Sequence, residues 1–144
     1  MNVMEDTQQH IDWVEKLLLK VAAHITMRAG DHDKSKLETP EKEMYETWRP
    51  KLDAMSVESA EYRDALVKMG PALNHHYEVN RHHPEHFENG IAGMNLIDLL
   101  EMTCDWVAAA GRSGKKVNPE WAQKRFNIEP QLLSVIANTL KELE

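Results

Sequence analysis

At 144 residues, 42% hydrophobic and 28% charged, the chain suits one globular domain and excludes a disordered or membrane-embedded one. A formal net charge of −7 argues against extended nucleic acid as a partner, because binding a polyphosphate backbone requires clustered Lys and Arg. A small phosphorylated molecule stays open, since a local metal ion can offset local negative charge.

The first element runs from about Thr7 to Arg28, with Ile11, Val14, Leu17, Leu18, Val21, Ala22 and Ile25 at helical spacing. Asp6 or Thr7 is the expected cap and Gly30 the expected stop. His10 and His24 share the apolar stripe and are expected to face inward. They are separated by roughly 21 Å of helix at about 1.5 Å per residue, so only one of them can serve a given metal. The acidic start Met1-Asn2-Val3-Met4-Glu5-Asp6 has neither basic nor apolar leader character, which points to a cytoplasmic location.

The run Gly30-Asp31-His32-Asp33-Lys34-Ser35-Lys36 follows, and His32 beside Asp33 offers an imidazole and a carboxylate to a divalent ion. Thr39 then reads as a cap, Pro40 as the first residue of a short helix to about Trp48, and Arg49-Pro50 as its interruption. Ser56 starts a longer pattern through Tyr62, Leu66, Met69, Leu73 and His76, kinked or broken at Gly70-Pro71. Five of the eight histidines fall between His75 and His86. The inward stripe selects His76 over His75, and the helix is expected to end near Arg81 or His82, ahead of Pro84. Asn89-Gly90-Ile91-Ala92-Gly93 is turn chemistry, read either as a lid over a site or as an ordinary connection.

From Asn95 to Ala110 the pattern is a buried helix carrying Asp98, Glu101 and Asp105 near one face. Asp105 is the most enclosed and becomes a ligand candidate, whereas Glu101 reads as a solvated charge. Cys104, the only cysteine, excludes an internal disulfide and reads as a buried thiol. Two further helices enter at Asn118-Pro119 and Pro130, and the stripe Leu132, Leu133, Ile136, Leu140, Leu143 is expected to close the core or to form a homodimer contact. No strand pattern is evident, so the expected fold is all-α, a single-domain bundle of about five to seven helices over 1–144. Its metal-site core lies at about 7–110 and its C-terminal helices at 118–144.

The early histidine, the His-Asp-x-Ser-Lys run, the Arg-His-His-Pro-Glu-His stretch and the Glu-Met-x-Cys-Asp-Trp helix together resemble the HD-domain superfamily of metal-dependent phosphohydrolases. More narrowly, they resemble a small phage and bacterial HD-like group of unknown function, DUF5662. The resemblance implies that His10, His32, Asp33 and Asp105 hold one divalent metal, with His76, His82, His83 and His86 as candidates for a second ion or the substrate. It also implies hydrolysis of a small nucleotide or other phosphomonoester, with Lys36 and Arg81 neutralising phosphate charge. Lys36 stands where related nucleotidases carry an acidic residue, which weakens the case for a general acid or base there. Mixed nitrogen and oxygen ligands suit Mn, Fe, Co, Ni or Zn alike. Two rival functions fit the same residues: a non-catalytic metal-binding helical protein, and a metal-free phage or host adaptor.

Overall fold

The structure is a computed structural model that describes residues 2–56 and 59–143. Among the described residues the chain forms seven α-helices and three short 3-10 turns, with no strand. The all-helical expectation is met. The chain divides into two units, one ending at His32 and the other beginning at Asp33.

The first unit is one continuous helix, α1 (Val3–Asp31). Its cap is Asn2, whose side chain accepts from the backbone N–H groups of Met4 and Glu5 while Glu5 accepts from the Asn2 N–H. This reciprocal box starts the helix earlier than the Asp6 or Thr7 cap read from sequence. The helix also runs through Gly30, which costs it only about 1 kcal/mol of propensity, and stops at His32. No α1 side chain is buried, so the expected inward stripe is exposed and His10 and His24 are surface residues.

The second unit opens with a 3-10 turn, Lys34–Leu37, and then α2 (Glu41–Asp53), whose N-cap is Pro40 after a cis Thr39–Pro40 bond. The helix therefore begins one residue later than expected. It also continues through Pro50, on its exposed side in the last turn but one, where the lost backbone bond can be replaced by solvent. The start expected at Ser56 is followed by residues 57 and 58, which lie outside the described residues. The next cap is Ser59, whose Oγ accepts from Tyr62 N–H and starts α3 (Ala60–Lys68). Gly70-Pro71 divides this element from α4 (Gly70–Val79), as the missing proline donor requires. The α4 helix ends at Asn80, slightly before the expected stop.

Two 3-10 turns follow, Pro84–His86 and Gly90–Gly93, so the 89–93 segment is an ordered turn rather than an open loop. The α5 helix (Leu96–Gly111) is capped by Asn95 in a second reciprocal box with Asp98, and α6 (Pro119–Phe126) and α7 (Pro130–Leu143) match the expected C-terminal pair. Ala122, Ile128, Ile136 and Leu140 are buried together, with Trp106, Phe126, Leu132 and Leu133 packed against them. Each large aliphatic in that cluster contributes about 1.5–3 kcal/mol. Cys104 is exposed, contrary to the buried thiol expected, because α5 turns Asp98, Met102 and Thr103 inward instead. No helix is long and apolar enough to cross a membrane among the described residues.

Gly93 is the tightest point of the connection. A Cβ there would lie 2.6 Å from Phe87 Cβ and 2.5 Å from Asn89 Oδ1. Phe87 cannot retreat freely, because its ring also underlies the Arg81 guanidinium at 5.0 Å. Gly93→Ala is therefore expected to destabilise the second unit by about 1–3 kcal/mol. A urea melt followed by circular dichroism measures this, and an unchanged midpoint would mean the turn relaxes without cost.

Candidate metal centre

Asp33 occupies the left-handed backbone region (φ 56, ψ 14) at the start of the 3-10 turn, a conformation that Asp tolerates better than most residues. Lys36, one turn on, bonds its Oδ2 at 2.5 Å. The other oxygen, Oδ1, stands 3.3 Å from His76 Nε2 and 3.4 Å from His82 Nε2. His83 Nε2 lies 2.9 Å from His76 Nε2. Asp33, His76, His82 and His83 thus present one ligand atom each within 4.8 Å of one another, close enough to hold a metal ion. Asp105 borders the group, with Oδ2 3.9 Å from His82 Nε2.

Two of these imidazoles are backed by carboxylates. Glu41, fully buried at the first turn of α2, accepts from His76 Nδ1 at 2.8 Å and from His75 Nδ1 at 2.7 Å. His82 Nδ1 stands 3.1 Å from Glu101 Oε1 on α5. A carboxylate at Nδ1 keeps the proton there and turns the Nε2 lone pair outward, the arrangement typical of histidine metal ligands. Asn80 completes the His76 side, donating to Ser35 Oγ at 2.9 Å and to the His76 carbonyl at 2.9 Å. Glu101 is therefore not the solvated charge read from sequence; its side chain is 11% exposed.

Position in the chain follows from a third buried carboxylate. Asp98, with no exposure, accepts from Arg81 Nη2 at 3.0 Å and from Arg81 Nε at 3.3 Å, while closing the α5 cap with Asn95. That fork pins the segment after α4 onto α5 and sets His82 facing Glu101 and Asp105. Arg81 is thereby engaged by Asp98, as Lys36 is by Asp33.

Of the remaining sequence candidates, His10 and His86 lie outside the cluster. His10 is exposed in the first third of α1, and His32 ends the same helix 22 residues later, roughly 33 Å away at about 1.5 Å per residue. One ion cannot take both, so the set His10, His32, Asp33, Asp105 does not assemble as a single site. His86 bonds the Tyr77 carbonyl through Nδ1 at 2.8 Å and packs on Phe87 instead of joining the cluster.

Three of the six spacings among the four donors fit a metal polyhedron. Two atoms each about 2.1 Å from one ion are about 3.0 Å apart at a right angle and about 3.4 Å apart at the tetrahedral angle. The observed 2.9, 3.3 and 3.4 Å edges fall at or near those values. Burial pushes His83 down to about 3, assisted by His82 and His76, so its imidazole stays neutral and able to ligate. Burial, with Glu41 and Asp33 nearby, pushes the Tyr45 phenol up, which keeps it a hydrogen-bond donor.

The chain belongs to a family of unknown function (DUF5662), whose model matches residues 1–142. No curated protein and no solved structure matches it.

The depressed His83 value has a consequence for the metal-free protein. A histidine whose folded value lies below its ordinary 6.5 contributes stability in full above pH 6.5, and this is lost as the pH falls toward about 3. Chelator-treated protein is therefore expected to lose stability steadily below pH 6.5, and His83→Gln is expected to flatten that part of the profile. Denaturation midpoints at several pH values measure it; parallel profiles for both proteins would contradict the assignment.

Proposed function

We propose that this member of the DUF5662 family is a metal-dependent phosphohydrolase that acts on a small nucleotide or similar phosphomonoester. Asp33, His76, His82 and His83 would hold the divalent ion, with Asp105 at its edge. The observation that carries the reading is the pair of carboxylate-backed imidazoles, His76 on Glu41 and His82 on Glu101, whose Nε2 atoms converge on one oxygen of Asp33. Such backing raises ligand basicity and fixes ring orientation.

A divalent ion with open positions acidifies water at neutral pH and polarises a phosphoryl oxygen. The chain's own residues supply the rest. Lys36 holds the second oxygen of Asp33, which leaves the first for the ion, and its one-third exposed ammonium is available to a phosphate oxygen at the rim. Tyr45 lies beside the same lysine, with Nζ 5.2 Å from its ring centre, and confines it to that rim. Kinship with the HD-domain phosphohydrolases, suggested by His32-Asp33, belongs to this reading, with the histidines after α4 taking the places that His10 and His32 cannot share.

Elemental analysis of protein purified without chelator is expected to find about one divalent metal per chain. Asp33→Ala and His82→Ala lose it, His10→Ala keeps it, and Glu101→Gln weakens it by roughly 10–100-fold. With Mn, Co, Ni or Zn restored, a panel of nucleoside monophosphates is expected to reveal turnover that Asp33→Ala abolishes and Lys36→Ala weakens chiefly through KM. Bound metal without hydrolysis of any phosphomonoester would overturn the enzymatic half of the proposal, and absence of metal would overturn all of it.

A further inference from the structure

The α1 helix is 29 residues long and buries none of its side chains, although Ile11 and Leu18 are 51% and 64% exposed on a regular apolar stripe. An amphipathic helix of this kind draws most of its stability from packing that stripe against something. Its spacing is heptad-like: Met4, Ile11, Leu18 and Ile25 recur every seven residues, with Thr7, Val14, Val21 and Arg28 three residues after each. Such a pattern forms a two-helix seam.

Charge along the helix selects the partner. Residues 3–15 carry Glu5, Asp6, Asp12 and Glu15 with no Lys or Arg, whereas residues 16–31 carry Lys16, Lys20 and Arg28 against Asp31 alone. A second copy laid parallel would set acid on acid and base on base. Laid antiparallel, the acidic half of each helix meets the basic half of the other.

The register agrees. About a twofold axis near Lys16, Ile11 faces Val21 of the second copy, Val14 faces Leu18, and Thr7 faces Ile25. Each layer pairs a first-position residue with a fourth-position residue, as antiparallel two-helix packing requires. Asp12 then stands level with Lys20 of the other copy. The contact is isologous and closes as a dimer.

We infer that α1 is a self-association element that pairs antiparallel with α1 of a second copy of this chain. The inference is independent of the metal reading, and the chain alone provides the test. Sedimentation equilibrium of the full-length protein is expected to give about 33 kDa, twice the 16.6 kDa of one chain. Val14→Glu with Leu18→Glu is expected to give monomer, whereas Val135→Glu on the exposed side of α7 leaves the dimer intact.

Orientation is read from a spin label at Val3→Cys in a Cys104→Ser background. The two labels stand 26 residues apart along an antiparallel pair, roughly 39 Å, but under about 20 Å in a parallel one. A monomeric wild type, a short label distance, or a dimer broken by Val135→Glu and not by the α1 pair would each overturn the inference. The wild-type mass and label distance decide it even if the double variant fails to fold.

Discussion

Two buried carboxylates, each gripping the Nδ1 side of a histidine, are the constraint on which the second unit depends. Glu41 has no exposure and Glu101 almost none, and leaving either charge in the interior without a partner would cost several kcal/mol. Pairing them with His76 and His82 removes that cost and leaves a second effect: both rings can offer only Nε2 to the space between them. Asp33, turned by its left-handed backbone, puts a carboxylate oxygen into that space. The chemistry of the site is thus a by-product of satisfying the interior.

The elements are arranged to the same end. The first turn of α2 carries Glu41, the end of α4 carries His76, and α5 carries Glu101 and Asp105 on successive turns. The segment with His82 and His83 has no helix of its own, and the Arg81–Asp98 fork ties it to α5. The apolar packing lies mainly elsewhere, among α5, α6 and α7. Separating a polar, ligand-rich end from an apolar end lets the core supply stability while the site holds imidazoles and carboxylates that an apolar core would exclude. An ion bound only to the folded state would add to that stability by mass action.

Much of this was legible in the sequence where local chemistry decides. The helix starts at Asn95, Asn118-Pro119 and Pro130, the break at Gly70-Pro71 and the inward choice of His76 follow from turn chemistry and helical phase alone. Asp33 was recognisable from the His-Asp pair. What was not legible depends on long-range approach. Glu41 looks like an ordinary first-turn acid, and nothing near it signals that two histidines 34 and 35 residues away will cover it. Glu101 has the same spacing on α5 as a solvated charge and is distinguished only by His82. The apolar stripe of α1 reads as core because periodicity reports amphipathicity and does not report which surface covers it. The family resemblance, and not periodicity, placed His10 in one site with His32, a pairing that the length of α1 rules out.

X-ray absorption at the metal edge of the loaded protein tests the central claim most directly, since it counts the atoms around the ion without reference to activity. Asp33, His76, His82 and His83 predict a first shell at about 2.0–2.2 Å with the outer-ring scattering of two to three imidazoles, falling by one ring in His82→Ala. A shell of oxygens alone, or one unchanged by His82→Ala, would contradict the account.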